Sequence, residues 1–144
     1  MTTHPLPPKH YVIGDSIAHG TAEALKWPGD YQDGRSYAII AHTVIPHNLD
    51  VLVVSTLTNP QPKSHHDWLA LEPSLVKIRE GAGPKTKVVW ILPSPKFRKE
   101  RQVVIDFAHS HQDKIVSFVP GMDGIHPESY HHVATAVLAS LSTA

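Results

Sequence analysis

Two short segments of this 144-residue chain carry residue types and spacings that could perform nucleophilic chemistry on an acyl group. The first is Gly14-Asp15-Ser16, directly after the apolar run at 11–13. A serine placed where a strand turns into a helix meets free N–H groups and a helix dipole that favour developing negative charge. Taken alone, the same three residues read more readily as an N-cap for the helix that follows. The second segment is Asp123-Gly124-Ile125-His126-Pro127, near the C-terminus. An acid three residues before a histidine can reach the imidazole Nδ1 and hold the tautomer whose Nε2 accepts a proton from a hydroxyl. Alone, this segment also fits a turn with an aspartate acceptor and an exposed histidine. Together they supply a nucleophile, a base and an orienting acid, in the chain order Ser16, Asp123, His126.

For these groups to meet, the elements around them must bring distant parts of the chain to one place. Four apolar runs, at 11–13, 51–54, 88–92 and 115–119, are apolar on both faces, as buried parallel strands are. Between and after them lie helical patterns at 17–26, 36–46, 67–80, 97–112 and 127–141. Gly81 is the expected C-cap of the third, Pro73 a conflict within it, and Pro127 the expected first residue of the last. This alternation predicts an α/β domain with a parallel sheet covered on both faces. In such a sheet Ser16 follows one strand and His126 another at the same edge, where active sites of open parallel sheets form.

In these blocks the sequence resembles the SGNH (GDSL-like) hydrolases, from about Tyr11 to Leu141. Gly14-Asp15-Ser16 resembles the family's nucleophile block, and Asp123-Gly124-Ile125-His126-Pro127 its D-x-x-H-P block. Gly34, in Asp33-Gly34-Arg35-Ser36, matches the family's second block, a glycine whose N–H forms part of an oxyanion hole. The third block, G-x-N-D, corresponds to Leu57-Thr58-Asn59-Pro60: Asn59 matches, while Leu57 and Pro60 stand where the family has Gly and Asp. The resemblance implies a flavodoxin-like α/β/α sandwich with about five parallel strands. It also implies a serine esterase working through an acyl-serine. Ser16, Asp123 and His126 would be catalytic, with Ser16, Gly34 and Asn59 forming the oxyanion hole. The chain is short for this family and shows no lid insertion, which implies an open, shallow site. Such a site suits a short acyl group, including O-acetyl on a glycan.

Other signals carry less. Lys+Arg and Asp+Glu both count 13, so the chain has no overall basic footprint for nucleic acid or an anionic membrane. It contains no cysteine, hence no disulfide framework, thiolate nucleophile or cysteine-based zinc site. Twelve histidines invite a metal. Yet His109 and His111 would point about 200° apart on one helix, and the adjacent pairs His65-His66 and His131-His132 diverge similarly. We expect no metal and no cofactor. The run at 96–101 is rich in Lys and Arg and reads as a solvated helix face. Arg35 and Trp27 are candidate substrate contacts, and Asp15 is expected to bond loop N–H groups rather than orient the histidine. Residues 1–9, with three prolines, are expected as an extended tail before one domain at 10–144. With no signal-like N-terminus and no apolar span, a cytoplasmic or phage-associated location is expected. The alternative to an esterase is a catalytically weak or inactive SGNH-fold module, carbohydrate-binding or structural, such as part of a phage particle. A nucleotide-binding flavodoxin-like protein would need a Gly-rich loop after the first strand, which is missing.

Overall fold

The structure, a computed structural model, describes residues 7–142. The expected tail at 1–9 therefore lies mostly outside the described residues. Three strands form the middle of the sheet: β1 (His10–Gly14), β3 (Val51–Ser55) and β4 (Lys87–Ile91). Each is apolar in consecutive positions because helices cover both faces. Alternate residues sort into two cores. Ile13, Leu52, Val54, Val88 and Trp90 pack on one side with residues of α2 (Tyr37–Ile40), α3 (His65–Ala82) and α4 (Arg98–Ser110). Val12, Val53, Val89 and Ile91 pack on the other with α1 (Ser16–Leu25) and α5 (Tyr130–Ser142).

Two short strands complete a five-stranded parallel sheet, β2 (Gly29–Tyr31) and β5 (Lys114–Val116), in the order β2-β1-β3-β4-β5. The expected α/β/α sandwich with about five parallel strands is what forms. From β1 the chain goes first to one neighbour, β2, and then back to the other, β3. That reversal opens a crevice at the C-terminal ends of β1 and β3, the usual place for a site in such sheets. Ser16 stands there. The sheet closes tightly at this point: Gly14 has φ +140°, and a Cβ on it would lie 2.0 Å from the Ser55 carbonyl oxygen. Only glycine fits.

Several boundaries differ from expectation. β2 has no apolar run to announce it, because Gly-Asp-Tyr forms a half-buried edge strand. The pattern at 36–46 yields only the four-residue α2; its apolar residues Ile39 and Val44 are exposed rather than packed. Helix α3 runs through Pro73, which lies on its exposed face, and ends at Gly83 (φ +80°) rather than Gly81. Pro127 precedes α5 by three residues and makes an isolated bridge with Pro120 instead of opening the helix. β5 stops at Val116, and Val119 is exposed.

Candidate active site

The turn after β1 is held by Asp15. Its Oδ1 accepts the N–H groups of Ile17 (3.0 Å) and Ala18 (3.4 Å), capping α1, and the hydroxyl of Ser55 (2.9 Å). Asp15 is fully buried, and its Oδ2 has no hydrogen-bond partner. Burial pushes its carboxyl above the usual range, against the pull of those hydrogen bonds. The acid beside the serine thus works as a loop anchor, and Ser16 is left at the first position of α1.

The loop before α5 is built around Asp123. Its Oδ1 accepts from the backbone N–H groups of Ile125 and His126, both at 2.9 Å. Its Oδ2 lies 2.6 Å from His126 Nδ1. That bond, followed by the two backbone donors, holds the carboxyl well below its ordinary range, so it is ionised. An ionised carboxylate only accepts, so Nδ1 carries the proton and donates it to Asp123. The Nε2 lone pair is then free, and Ser16 Oγ lies 2.9 Å from it. The loop is braced on all sides. Gly121 N–H donates to the His126 carbonyl (2.8 Å), Glu128 N–H to the Val119 carbonyl (2.8 Å), and the buried Ser94 hydroxyl to the Gly124 carbonyl. The structure therefore brings Ser16, His126 and Asp123 together in an unbroken hydrogen-bonded chain.

Gly34 and Asn59 flank this chain. Gly14 pairs with Tyr31 of β2 and with Ser55 of β3, so the segments that follow both strands emerge on either side of Ser16. Gln32 N–H donates to the Gly14 carbonyl (3.2 Å), and Gly34 has φ +76° at the apex of the next turn. Tyr37 N–H donates to the Asn59 carbonyl (2.8 Å), joining the two loops. The Asn59 side-chain amide makes no hydrogen bond among the described residues and is half-buried. Leu57, standing at the family's glycine position, has φ +71° and is 1% exposed. The sequence departs from glycine there, yet the backbone keeps a glycine-like conformation, with the leucine side chain anchored in the core.

The two candidate substrate contacts fare differently from these. Trp27 is a correction: it follows the far end of α1 and stacks on His10, the first residue of β1, at 4.6 Å between rings. That is the opposite edge of the sheet from Ser16. Arg35 stays near the site, but its guanidinium is held by Asp30 (3.0 Å to Oδ1, 3.2 Å to the carbonyl) and is largely buried.

Two residues were not singled out in the sequence. Tyr130 packs its ring against Gly20 of α1, and its hydroxyl donates to the Ser16 carbonyl at 3.4 Å. Burial, with Asp15 nearby, pushes that phenol up to about 12, so it remains a donor at physiological pH. His19, one turn beyond Ser16, bonds Asp33 (2.9 Å) and Glu23 (2.8 Å). The His19/Glu23 spacing of four was readable as a helical pair; its link to Asp33 was not. No group of three metal-ligating side chains is arranged to hold an ion among the described residues.

The site is open. The side chains of His126 and Asp123 are 43% and 51% exposed, beside a shallow hollow of about 450 Å³ lined by Gly121, Met122, Pro127 and Glu128. Among the described residues, no helix is long and apolar enough to cross a membrane.

No family model and no curated protein matches the sequence. Among solved structures, the chain is similar to a member of the lipolytic protein G-D-S-L family from Veillonella parvula DSM 2008. The TM-score is 0.67 at 16% identity, covering 94% of this chain and 98% of that one. The periplasmic domain of a lipopolysaccharide acetyltransferase from Salmonella ser. Paratyphi A aligns with TM-score 0.43 at 11% identity, over 76% of this chain and 66% of that one. The chain has, over nearly its whole length, the fold of a lipolytic G-D-S-L protein.

Proposed function

We propose that the protein is a serine hydrolase of acyl esters. The observation that carries this is the Ser16–His126–Asp123 chain, with contacts of 2.9 Å and 2.6 Å at the sheet's switch point. Ser16 Oγ attacks the ester carbonyl carbon while its proton passes to His126 Nε2. Asp123 stabilises the imidazolium that forms. The tetrahedral oxygen takes the negative charge, and the donors assigned to it are the N–H groups of Ser16 and Gly34 and the side-chain amide of Asn59, which lie on the segments that follow three neighbouring strands. As the C–O bond breaks, His126 returns the proton to the departing alcohol. Water, deprotonated by His126, then releases the acid from Ser16.

The exposure of His126 and Asp123 supports a substrate that need not be swallowed. A short acyl group on a larger, polar alcohol such as a glycan fits an open site better than a long lipid chain, which would need an apolar trough. A second reading is favoured by one observation, the Leu57 and Pro60 departures beside Asn59. It holds that the fold has been kept as a weakly active or inactive binding module.

Hydrolysis of p-nitrophenyl acetate, butyrate and octanoate distinguishes the two. The esterase reading expects turnover that falls with chain length, loss of it in Ser16→Ala with the thermal midpoint nearly unchanged, and labelling of Ser16 by a fluorophosphonate. A folded protein that neither turns over the acetate nor takes the label at Ser16 overturns the esterase in favour of the binding module.

A further inference from the structure

His19 stands one turn after Ser16 on α1 and faces the edge strand β2. Its Nδ1 lies 2.9 Å from Asp33 Oδ1, its Nε2 2.8 Å from Glu23 Oε1, and its ring stacks on Tyr31 at 5.0 Å and 19°. Each nitrogen meets a carboxylate oxygen, and carboxylates at neutral pH only accept. A neutral imidazole has one N–H and can serve one of them. The imidazolium serves both.

Asp33 precedes Gly34, the apex of the loop after β2. Elsewhere this loop is secured by Gln32 N–H to the Gly14 carbonyl, by Arg35 N–H to the Gln32 carbonyl, and by the Arg35–Asp30 ion pair. Those contacts fix its two ends. The His19–Asp33 bond ties the exposed apex to α1, the helix whose first residue is Ser16.

We propose that protonated His19 is a positioning residue, pinning the Gly34 loop to the nucleophile's helix so that the Gly34 N–H is held at the oxyanion. The proposal rests on the esterase reading for the role of Gly34, though not for the tether itself. The groups facing His19 are few. Glu23 comes from its own helix, Asp33 from the loop, and the Tyr31 ring from β2. Tyr130 of α5 packs on the neighbouring Gly20 and stays uncharged below about 12. Asp33 first, and then Glu23, raise the imidazole above its ordinary range. The tether is complete from above the ordinary carboxyl range, about pH 4, up to about pH 6.5, the usual histidine value. It weakens as pH rises through the raised one. His19 is part-exposed, so salt weakens the tether as well.

The experiment measures kcat and KM against pH for the wild type, His19→Gln, Asp33→Asn and Glu23→Gln. Alongside, NMR follows the His19 ring and the Gly34 amide. The wild type should show an alkaline decline in kcat with KM nearly flat. The Gly34 amide shift should follow the His19 titration. His19→Gln and Asp33→Asn should lower kcat roughly tenfold, a fraction of what losing a whole donor does, and should lose the decline. Glu23→Gln should keep kcat at low pH and move the decline to lower pH. Wild-type kcat with the decline intact in His19→Gln overturns the proposal. So does a Gly34 amide indifferent to His19 in an active protein. Coupling of Gly34 to His19 in a folded protein with no esterase activity leaves the tether standing and overturns the hydrolase reading instead.

Discussion

The turn after β1 and the loop before α5 contain the same local device. In each, an aspartate Oδ1 accepts backbone N–H groups from residues two and three further along: Ile17 and Ala18 for Asp15, Ile125 and His126 for Asp123. The second oxygen separates them. Oδ2 of Asp15 is buried without a partner; Oδ2 of Asp123 meets an imidazole N–H at 2.6 Å. Their carboxyls accordingly shift in opposite directions, Asp15 up through burial and Asp123 down through its hydrogen bond to His126. A capping aspartate is a structural part. It becomes a functional one when its spare oxygen is directed at a titrating group.

The sharpest way to break that contrast is to change both acids to asparagine. Asparagine keeps the Oδ1 acceptor and so keeps either cap. At 123, however, an NH₂ would face His126 Nδ1 and favour the tautomer with its proton on Nε2, where Ser16 needs a lone pair. On the esterase reading, Asp123→Asn should lower kcat by about 10⁴ with the fold intact, the size of the loss when the orienting acid of a serine triad is so changed. Asp15→Asn should leave kcat within a few-fold. Steady-state kinetics with matched circular dichroism decides it, and the reverse pattern would exchange the two roles.

A smaller effect is expected at Asn59. Removing one preorganised oxyanion donor typically lowers turnover by ~10²–10³, so Asn59→Ala should depress kcat strongly and KM little. An unchanged kcat would move the donor role elsewhere in the segment at 56–60.

The parts of the site that were legible in the sequence are those whose chemistry sits in consecutive residues at the end of an apolar run. Gly14-Asp15-Ser16 meets both conditions and Asp123 to His126 the first, and the runs at 11–13, 51–54 and 88–92 located the three central strands because burial on both faces leaves no polar interruption. The rest depends on space rather than spacing. β2 was invisible because an edge strand of Gly-Asp-Tyr buries little. Helix α2 was overextended because Ile40 and Val44 stand at a helical spacing of four, while only Ile40 is buried and Val44 is exposed. Trp27 follows the helix that starts at the site, but ten helical residues carry the chain away to the other edge of the sheet. His19 acts through Asp33, a residue on another element, and no pattern within α1 announces it. At Leu57 the residue type gives no sign of the left-handed backbone it adopts, which only φ reveals.

The smallest expected effect concerns stability, and it completes the comparison from the Asp15 side. Asp15→Ala removes the cap of α1 and leaves the buried Ser55 hydroxyl without its acceptor. The first loss is typically about 1 kcal/mol and the second roughly 1–3 kcal/mol. Asp15→Asn can keep both contacts through Oδ1; it removes the ionisation and puts an NH₂ in the buried, unpartnered position of Oδ2, a pH-independent cost. In the wild type the folded carboxyl titrates above its unfolded value of about 3.9. Raising the pH through that interval forces a charge into a buried site, so folding stability is lost on the way up. The asparagine variant has no such loss. Urea unfolding at pH 4 and at pH 7 should therefore show Asp15→Asn gaining stability relative to the wild type as pH rises. Asp123→Asn should move the opposite way in a lower window, losing ground between about pH 2 and pH 4, because there it is the charged form that the fold favours; a third unfolding curve at pH 2 reads it. Equal pH responses in the two variants would mean that burial and the imidazole do not divide the two carboxylates as their surroundings require.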